Sequence, residues 1–434
     1  MQQISGQKLL TEITLDDLAK SEEITFSACV HKLRKMSGFS FVILRTGKYI
    51  LQSVYQEDKC AGNFNELCEG AYVTVSGSVS KEERAPYGYE IALSSFEILS
   101  KPAEEYPLHV SSKNLGCSLE TNMEHRSVAL RHPHERAVFK IAEGVVSGFR
   151  EFMLSNNFTE IHTPKICGAS AEGGANIFKL KYFGKDACLA QSPQFYKQTC
   201  VAFFDRVFEI APVYRAEKHN STRHLNEYIG LDFEMGFIND MTDVMNMETA
   251  MLRYVVDYLD KNYSHELQIL EAELPVINDI PAVTFFEALD ILGKSHNQFD
   301  LDPTDEVRLC EYAKEQYGSD FIFVTKFPGL KRPFYAMDSK DDPKLAESFD
   351  LLFRGLEITT GGQRIHDYQE QTEKLKRYNI KPEDLGAYID IFRYGMPPHG
   401  GLGIGLERLV MKLLNLSNIR EASLFPRDIH HLDP

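Results

Sequence analysis

The hydrophobic pattern of this 434-residue chain changes near residue 130, and that change constrains the fold more than any other feature. Before it, short runs rich in β-branched and aromatic residues are separated by turn signals such as Thr46-Gly47-Lys48. The predicted strands are Ile24–Val30, Phe39–Leu44, Tyr49–Val54, Tyr72–Val79 and Glu90–Ile98. Five strands within about 80 residues predict a small barrel. The OB-fold, which binds oligonucleotides, is the common version, and an SH3-like barrel is the alternative.

Beyond residue 130, apolar residues recur at steps of three to four, which predicts an amphipathic helix over about 134–155. Its apolar positions are Val138, Ile141, Ala142, Val145, Phe149 and Phe152. Further along, β and α segments mix without strict alternation, which favours an antiparallel sheet over a doubly wound parallel one. We therefore predict an α+β protein. It has a five-stranded OB-fold β-barrel at 1–105, a hinge at 106–130 and, at 131–434, a domain built on an antiparallel β-sheet flanked by helices.

Charge and cysteine content limit the function classes. A net charge of −16 disfavours a polyanionic partner, although a local basic groove is compatible with it. The eight cysteines include no CxxC pair, so we expect reduced thiols and neither a zinc site nor a disulfide framework. No apolar run approaches the ~20 residues of a membrane span. With no signal segment at the N-terminus, we expect a cytoplasmic protein without membrane contact.

Two extended stretches, Val207–Glu217 and His224–Met235, are joined by a polar loop at 218–223. Alternation gives each stretch one apolar and one polar face, and together the two polar faces carry charges of both signs. The polar faces carry Glu209, Arg215 and Glu217 in the first stretch and Asn226, Tyr228, Asp232 and Glu234 in the second. A solvated sheet face is the simple interpretation. The floor of a cleft that orients a charged ligand is the alternative that the mixture of acids, Tyr228 and Gly230 favours.

The glycine-rich segment His399–Arg408 is predicted to form a strand that leads into a helix. Gly401, Gly403 and Gly405 share one face, which predicts a flat floor where a planar base contacts the backbone. Arg408 follows at the junction between strand and helix, where it is placed to stack on a ring or bind phosphate. Neither the GxGxxG fingerprint nor a GxxxxGK[ST] loop occurs, so the segment is not a standard dinucleotide or P-loop site.

Three segments resemble the three motifs of class II aminoacyl-tRNA synthetases: Phe158–Pro164, Val213–Glu217 and Gly401–Arg408. Within that class the chain is similar to aspartyl-tRNA synthetases of the archaeal and eukaryotic type. The segments that carry this closer resemblance are Glu172–Phe178, Gln191–Gln198 and Gly355–His366. They occur in matching order over nearly the whole chain, behind an N-terminal barrel.

The resemblance implies ATP-dependent ligation of L-aspartate to the 3′ end of tRNA(Asp) through an aspartyl-adenylate, with tRNA(Asn) left open as a second acceptor. It also implies magnesium (Mg²⁺) as the cofactor that accompanies ATP, and a homodimer. The alternatives are an asparaginyl-tRNA synthetase, an asparagine synthetase-like paralogue, and a paralogue that binds RNA without catalysis. Intact Arg215, Glu217, Glu357 and Arg408 speak against the last of these.

Carried over residue by residue, the resemblance assigns the nucleotide site. The catalytic residues would be Arg215, Glu217 and Arg408. The ATP-binding residues would be Arg215, Glu217, Arg223, His224, Leu225, Glu357, Gly405 and Arg408. Glu357 and Thr360 would hold Mg²⁺, since a carboxylate and a hydroxyl suit a hard cation. The archaeal-type pattern has Ser at the second position, so Thr360 departs from it.

The same resemblance assigns the amino-acid and anticodon sites. The aspartate-binding residues would be Glu172, Gln194, Lys197, Arg215, Asp232, Thr360 and Arg364. Lys197 and Arg364 match the cationic pair that binds the side-chain carboxylate. We expect aspartate and not asparagine, because two buried cations unpaired against a neutral amide would cost roughly 2–5 kcal/mol. In the barrel, Phe41 and Gln52 match positions that stack on and hydrogen-bond the anticodon, although Phe41 pointing into the barrel is the alternative.

Overall fold

The computed structural model describes residues 13–168 and 176–433. Contacts divide the chain into two compact units, Met1–His132 and Pro133–Pro434. Helices are written α and strands β, numbered in chain order. Among the described helices, none has the length and apolar character that crossing a membrane requires.

The first unit is a closed five-stranded barrel, as the turn signals and short β runs predict. The predicted strands match the observed strands to within one residue at their starts. Their bounds are β1 (Glu23–Lys35), β2 (Ser40–Arg45), β3 (Ile50–Tyr55), β4 (Tyr72–Lys81) and β5 (Tyr89–Ser100). The order around the barrel is β1-β2-β3-β5-β4, and β3 and β5 run parallel. The α-helices in the described part of this unit are α1 (Leu15–Lys20), α2 (Leu119–Glu124) and α3 (Arg126–Ala129).

The second unit is built around an eight-stranded sheet, and it also contains a small three-stranded sheet. The strands are β6 (Thr159–Glu160), β7 (Ile166–Cys167), β8 (Lys179–Tyr182), β9 (Lys185–Leu189), β10 (Arg206–Tyr214), β11 (Glu227–Gly236), β12 (Ala282–Thr284), β13 (Phe321–Thr325), β14 (Ser348–Phe353), β15 (Leu356–Arg364) and β16 (His399–Gly405). The large sheet has the order β12-β13-β14-β15-β16-β11-β10-β6. Its six central strands are antiparallel as predicted, whereas the edge pairs β12–β13 and β6–β10 are parallel, which makes the sheet mixed.

Helices flank this sheet on both of its faces. They are α4 (Pro133–Ser155), α5 (Gln194–Phe204), α6 (Met241–Asn262), α7 (Ser264–Ile269), α8 (Phe285–Leu292), α9 (Pro303–Tyr317), α10 (Tyr368–Arg377), α11 (Ala387–Arg393) and α12 (Leu406–Leu413). α4, the amphipathic helix predicted over 134–155, packs on α6, and its Phe149 meets Phe208 of β10 edge to face. Both rings are fully buried, so truncating either to alanine would destabilise the domain by about 3–5 kcal/mol.

Helix α9 owes its limits to local sequence. The Asp302 side chain accepts hydrogen bonds from the backbone of Thr304 and Asp305, and Asp305 completes a capping box with Pro303 at the first turn. Gly318 ends the helix with a φ of 67°, the left-handed conformation that glycine adopts without a Cβ clash. The helix is therefore fixed at both ends, and it presents a buried side from Asp305 to Ala313.

Candidate active site

A cavity of about 690 Å³ opens on the polar side of the central strands. Tyr228 and Asp232 of β11 line it, whereas the alternate residues Leu231 and Phe233 belong to the apolar core. The polar strand faces therefore form a cleft wall and not a solvated surface. From the sequence-predicted set, the cavity brings together Gln194, Lys197, Arg215, Glu217, Arg223, His224, Leu225, Asp232, Glu357, Thr360, Arg364, Gly405 and Arg408. Glu172 lies outside the described residues.

At one end of the cavity, two cations and two acids form a buried network. Lys197 Nζ is 2.9 Å from Asp232 Oδ1 and 3.4 Å from Glu234 Oε2, and it donates to Leu402 O at 2.8 Å. Arg364 Nε lies 2.9 Å from Glu234 Oε1. Burial raises the pKa of Asp232 although Lys197 opposes it. Burial acts in the same direction on Glu234, but Arg364 and Lys197 outweigh it and hold the pKa of Glu234 below its usual value.

This network corrects one expectation. Lys197 and Arg364 are not unpaired, because Asp232 and Glu234 already neutralise them. The argument that a neutral asparagine side chain would leave two buried cations without partners is therefore wrong in this form. The sequence analysis placed Glu234 on the polar face of its strand but did not predict it as a site residue.

The loop that follows β10 carries the nucleotide-side residues. His224 Nδ1 and Ser221 Oγ share a hydrogen bond of 2.6 Å, and His224 Nε2 lies 3.6 Å from Glu217 Oε2. Burial lowers the pKa of His224, with Glu217 opposing. Arg408 faces the loop from α12, where its Nη1 donates to Glu357 O at 2.9 Å. On this nucleotide side, the cavity wall therefore combines several cationic side chains with the acids Glu217 and Glu357.

The predicted strands ran too far into this loop. The ladder between β10 and β11 ends at the pair Tyr214–Glu227, whereas the sequence predicted strands that reach Glu217 and begin at His224. The Asn226 side chain donates to Arg215 O at 2.7 Å and to Glu217 O at 3.0 Å. Beyond the last ladder pair one backbone hydrogen bond remains, from Arg215 N–H to Asn226 O at 2.8 Å, and the Asn226 side chain makes the other cross-strand bonds. Local alternation cannot reveal such side-chain hydrogen bonds.

Glu357 and Thr360 lie on the same cavity wall because β15 contains a bulge. Leu351 pairs with Thr359 and Leu352 pairs with Glu357, so Ile358 is an extra residue in β15. In a regular strand, residues three apart would face opposite sides. Here the Thr360 hydroxyl donates to Glu357 Oε1 at 3.0 Å.

Asp350 lies beside these two residues and was missed by the sequence prediction. It pairs with Thr360 across the sheet, and Arg332 holds its two oxygens at 2.9 and 2.7 Å. Burial raises the pKa of Asp350 to about 6, with Arg332 opposing. Burial would also raise the pKa of Glu357, but Arg408 and Arg332 keep it below its usual value. Two carboxylates and a hydroxyl are oxygen donors that fit a hard cation such as Mg²⁺.

The glycine strand forms only part of the predicted floor. Gly403 and Gly405 line the cavity. Gly401 does not, because a Cβ there would lie 2.2 Å from Phe233 O and 2.3 Å from Glu234 Oε2. A continuous glycine floor is therefore wrong at Gly401, where the missing side chain makes room for the buried network.

In the barrel unit, Phe41 and Gln52 lie on the outer face. Phe41 is only partly buried, whereas Val42 and Leu44 of the same strand belong to the barrel core. The alternative in which Phe41 points into the barrel is therefore wrong. Phe41 meets Phe39 edge to face at 5.2 Å. Gln52 Nε2 donates to Glu90 Oε2 at 2.7 Å. Arg34, which pairs with Phe41 across the strands, adds a cation to this face.

Comparison with known proteins assigns the class. A model of "tRNA synthetases class II (D, K and N)" matches residues 118–429, and one of an "OB-fold nucleic acid binding domain" matches residues 24–99. The chain belongs to the class II aminoacyl-tRNA synthetases. The second match confirms the OB-fold over the SH3-like alternative.

The relatives narrow the subgroup. The chain is 42% identical over 425 residues to the aspartate–tRNA(Asp/Asn) ligase of Deinococcus radiodurans, with 96% of each chain covered. It is 39% identical over 423 residues to the aspartate–tRNA(Asp) ligase of Pyrococcus furiosus, covering 95% of this chain and 96% of that one. Among solved structures, an asparaginyl-tRNA synthetase from Pyrococcus horikoshii complexed with asparaginyl-adenylate gives a TM-score of 0.88 at 30% identity, covering 95% and 96%. An aspartyl-tRNA synthetase from Entamoeba histolytica gives 0.87 at 30% identity, covering 99% and 93%.

Proposed function

We propose that this chain activates L-aspartate with ATP and transfers it to the 3′ end of tRNA(Asp). The observation that carries the proposal is one cavity that joins the Lys197/Arg364 network to Arg215 and Arg408. The two ligases named above are aspartate–tRNA ligases, and their similarity covers nearly the whole chain. The names of these relatives are the evidence for aspartate as the substrate, because the buried network removes the argument from unpaired cations.

In the first step, an oxygen of the aspartate α-carboxylate attacks the α-phosphorus of ATP, and pyrophosphate leaves as the aspartyl-adenylate forms. Charge neutralisation and positioning carry such a transfer. Arg215 would contact the α-phosphate and the attacking carboxylate, and Arg408 would face the triphosphate from the α12 side. Arg223, His224 and Leu225, together with Glu217, would hold the phosphates and the adenine; Glu217 Oε2 lies 3.6 Å from His224 Nε2.

Glu357, Thr360 and Asp350 would hold Mg²⁺ against the phosphates. The lowered pKa of Glu357 keeps its carboxylate ionised, which suits a cation ligand. No cluster of three or more His, Cys, Asp or Glu side chains suited to a metal occurs in the described part of the chain. Mg²⁺ takes one or two protein carboxylates and completes its shell with phosphates and water, so Glu357 and Asp350 are sufficient acids for it. The ion would neutralise charge on the leaving pyrophosphate.

For amino-acid selection, we propose that the aspartate side chain binds at Lys197 and Arg364, with Gln194 beside them. Asp232 and Glu172 would attract the substrate ammonium. The incoming carboxylate then shares cations that Asp232 and Glu234 neutralise in the structure, so binding exchanges one set of ion pairs for another. Such an exchange avoids leaving a buried charge without a partner.

The decisive experiment is aminoacylation of purified tRNA(Asp) and tRNA(Asn), side by side, with aspartate and with asparagine. We expect aspartate to be attached to tRNA(Asp). Attachment to tRNA(Asn) as well would place the chain with relatives named for both acceptors. Arg215→Ala is expected to abolish ATP–pyrophosphate exchange without unfolding the protein. Charging by asparagine alone would overturn the proposal.

An asparaginyl-tRNA synthetase is the second candidate, and the structural similarity at a TM-score of 0.88 is the observation that favours it. Exchange stimulated by asparagine and not by aspartate would select it. Free asparagine formed from aspartate and ammonia without tRNA would instead select an asparagine synthetase-like activity. A folded protein that gives no exchange with either amino acid would select the RNA-binding paralogue.

We also propose a homodimer that acts in the cytoplasm, where transfer RNAs are charged. Large apolar side chains are exposed near the ends of α4, α5 and β11: Leu154 at 52%, Phe203 at 61%, Phe204 at 45% and Phe237 at 71%. Exposed apolar groups of this size favour burial by a partner. Sedimentation equilibrium tests the dimer, and a monomer at micromolar concentration would contradict it.

A further inference from the structure

Glu306 of helix α9 contacts two separate parts of the candidate ATP site. Arg223 Nη2, in the loop after β10, forms an ion pair with Glu306 Oε2. The backbone N–H of Glu357, in β15, donates to the same oxygen at 2.8 Å. The Glu306 side chain is 9% exposed, and it does not line the cavity itself. One carboxylate behind the wall therefore joins two residues in the wall.

We propose that Glu306 is a positioning residue for the triphosphate, which sets Arg223 and the β15 segment at Glu357 relative to each other. This inference rests on the proposed function, because it names the group that orients ATP-binding residues. Helix α9 carries none of the residues that the sequence analysis assigned to the site.

Arg223 has donors left over for an anion. Its Nε is buried and has no hydrogen-bond partner within the described residues. A guanidinium offers five N–H donors in a rigid plane, so a carboxylate that holds Nη2 also fixes the direction of the others. Glu306 thus reduces the orientational freedom that Arg223 would lose on binding a phosphate.

The second contact acts on the other side of the site. The Glu357 N–H belongs to the bulge of β15, where ladder hydrogen bonds are locally disrupted. Glu306 accepts this N–H at 2.8 Å and so satisfies a backbone donor beside the bulge. The carboxylate of Glu357 extends from the same residue toward Arg408, 3.6 Å away. Movement of Glu306 would therefore displace both the cation and the acid of the nucleotide site.

The chain offers a matched control one residue away. Asp305 is also buried, but its carboxylate accepts the Asp302 N–H at 3.0 Å and pairs with Lys294 at 2.5 Å, away from the cavity. Asp305→Asn should therefore lower the melting temperature and leave the KM values unchanged. Glu306→Gln keeps the size of the side chain and an oxygen for Glu357 N–H, while it removes the charge that holds Arg223.

The test is aspartate-dependent ATP–pyrophosphate exchange in the full chain. We expect Glu306→Gln to raise KM for ATP about tenfold or more, the effect of losing a hydrogen bond to a charged group, with KM for aspartate within about twofold. On an Arg223→Ala background, Glu306→Gln should have a much smaller effect, because its partner is gone. Should Glu306→Gln fail to fold, Glu306→Asp replaces it. Its carboxylate keeps the charge but is one methylene shorter, so it cannot contact Arg223 and the Glu357 N–H together, and KM for ATP should again rise.

Three results would overturn the inference: an unchanged KM for ATP, an equal rise in both KM values like that of a general loss of structure, or full additivity with Arg223→Ala. Each of these requires active wild-type enzyme. Absence of exchange in both wild type and Asp305→Asn would instead contradict the proposed function, so the two failures are distinguishable.

Discussion

Lys197 and Asp232 form an ion pair at the closed end of the cavity, with Nζ and Oδ1 2.9 Å apart. The lysine side chain is 2% exposed, and it also donates to the backbone oxygen of Leu402 at 2.8 Å. Breaking a buried pair from one side leaves an uncompensated charge, which costs about 3–5 kcal/mol. Lys197 therefore contributes both to the stability of the domain and to the charge of the site.

Replacement of Lys197 by methionine should abolish aspartate-dependent ATP–pyrophosphate exchange. The change removes the cation proposed for the aspartate side chain and leaves Asp232 and Glu234 with Arg364 alone. Exchange is measured over a range of aspartate concentrations, at a temperature where the variant is folded.

Lys374→Met provides the control for stability. Lys374 is a second buried lysine, 1% exposed, whose ion pair is with Asp338 and which does not line the cavity. Both variants should lower the melting temperature, whereas only Lys197→Met should lose exchange. Wild-type KM for aspartate in Lys197→Met would remove this lysine from the amino-acid site.

Thr360→Val should raise the Mg²⁺ concentration for half-maximal exchange about two- to tenfold, because it removes the hydroxyl that donates to Glu357 Oε1 at 3.0 Å. Thr360→Ser retains the hydroxyl and should stay within about twofold of wild type. Titration of Mg²⁺ at saturating ATP and aspartate measures the effect. Equal Mg²⁺ dependence in all three proteins would show that the hydroxyl has no part in holding the ion.

The elements that the sequence predicted well have local patterns. Val42 and Leu44 of β2 alternate with outward residues, and the barrel strands follow from such alternation. Helix α4, predicted over 134–155 and observed at Pro133–Ser155, follows from its 3–4 residue spacing. These patterns need no knowledge of the partner element, which explains their reliability.

The arrangement of the site could not be predicted from local sequence patterns. Glu357 and Thr360 share a wall only because of the bulge at Ile358, and alternation would place them on opposite faces. Their assignment came from the family resemblance. Asp350 and Glu306 were missed because a single acid in a buried strand or helix gives no periodic signal. Their partners Arg332 and Arg223 lie 18 and 83 residues away in sequence.

Glu248→Gln should stabilise the protein at alkaline pH relative to wild type. Glu248 is fully buried on α6, where it accepts the Thr359 hydroxyl at 2.6 Å, and burial raises its pKa from 4.5 to about 8. Between these values the folded protein keeps the proton and the unfolded chain releases it. Stability from this group is therefore full below about pH 4.5 and is lost as pH rises toward 8.

The glutamine variant has no such proton, so its stability relative to wild type should rise by a few kcal/mol between about pH 5 and about pH 8. Urea denaturation of both proteins at several pH values measures the difference. Other titrating groups, such as Glu407, are common to both proteins and cancel. A difference that does not vary with pH would contradict a protonated Glu248.

Phe41→Ala should weaken tRNA aminoacylation without changing amino-acid activation. Phe41 lies on the outer face of the barrel beside Phe39 and opposite Arg34, and a ring there is available to stack on a base. Loss of one stacked base costs about 1–3 kcal/mol, so kcat/KM for tRNA(Asp) should fall roughly 10- to 100-fold. ATP–pyrophosphate exchange should be unchanged, because the proposed activation residues all belong to the second unit.

Tyr72→Ala is the control. It removes another aromatic side chain of the barrel surface, 43% exposed, and should leave both reactions unaffected. Equal losses in the two barrel variants would indicate a general effect on the barrel, and wild-type kinetics in Phe41→Ala would exclude this ring from anticodon binding.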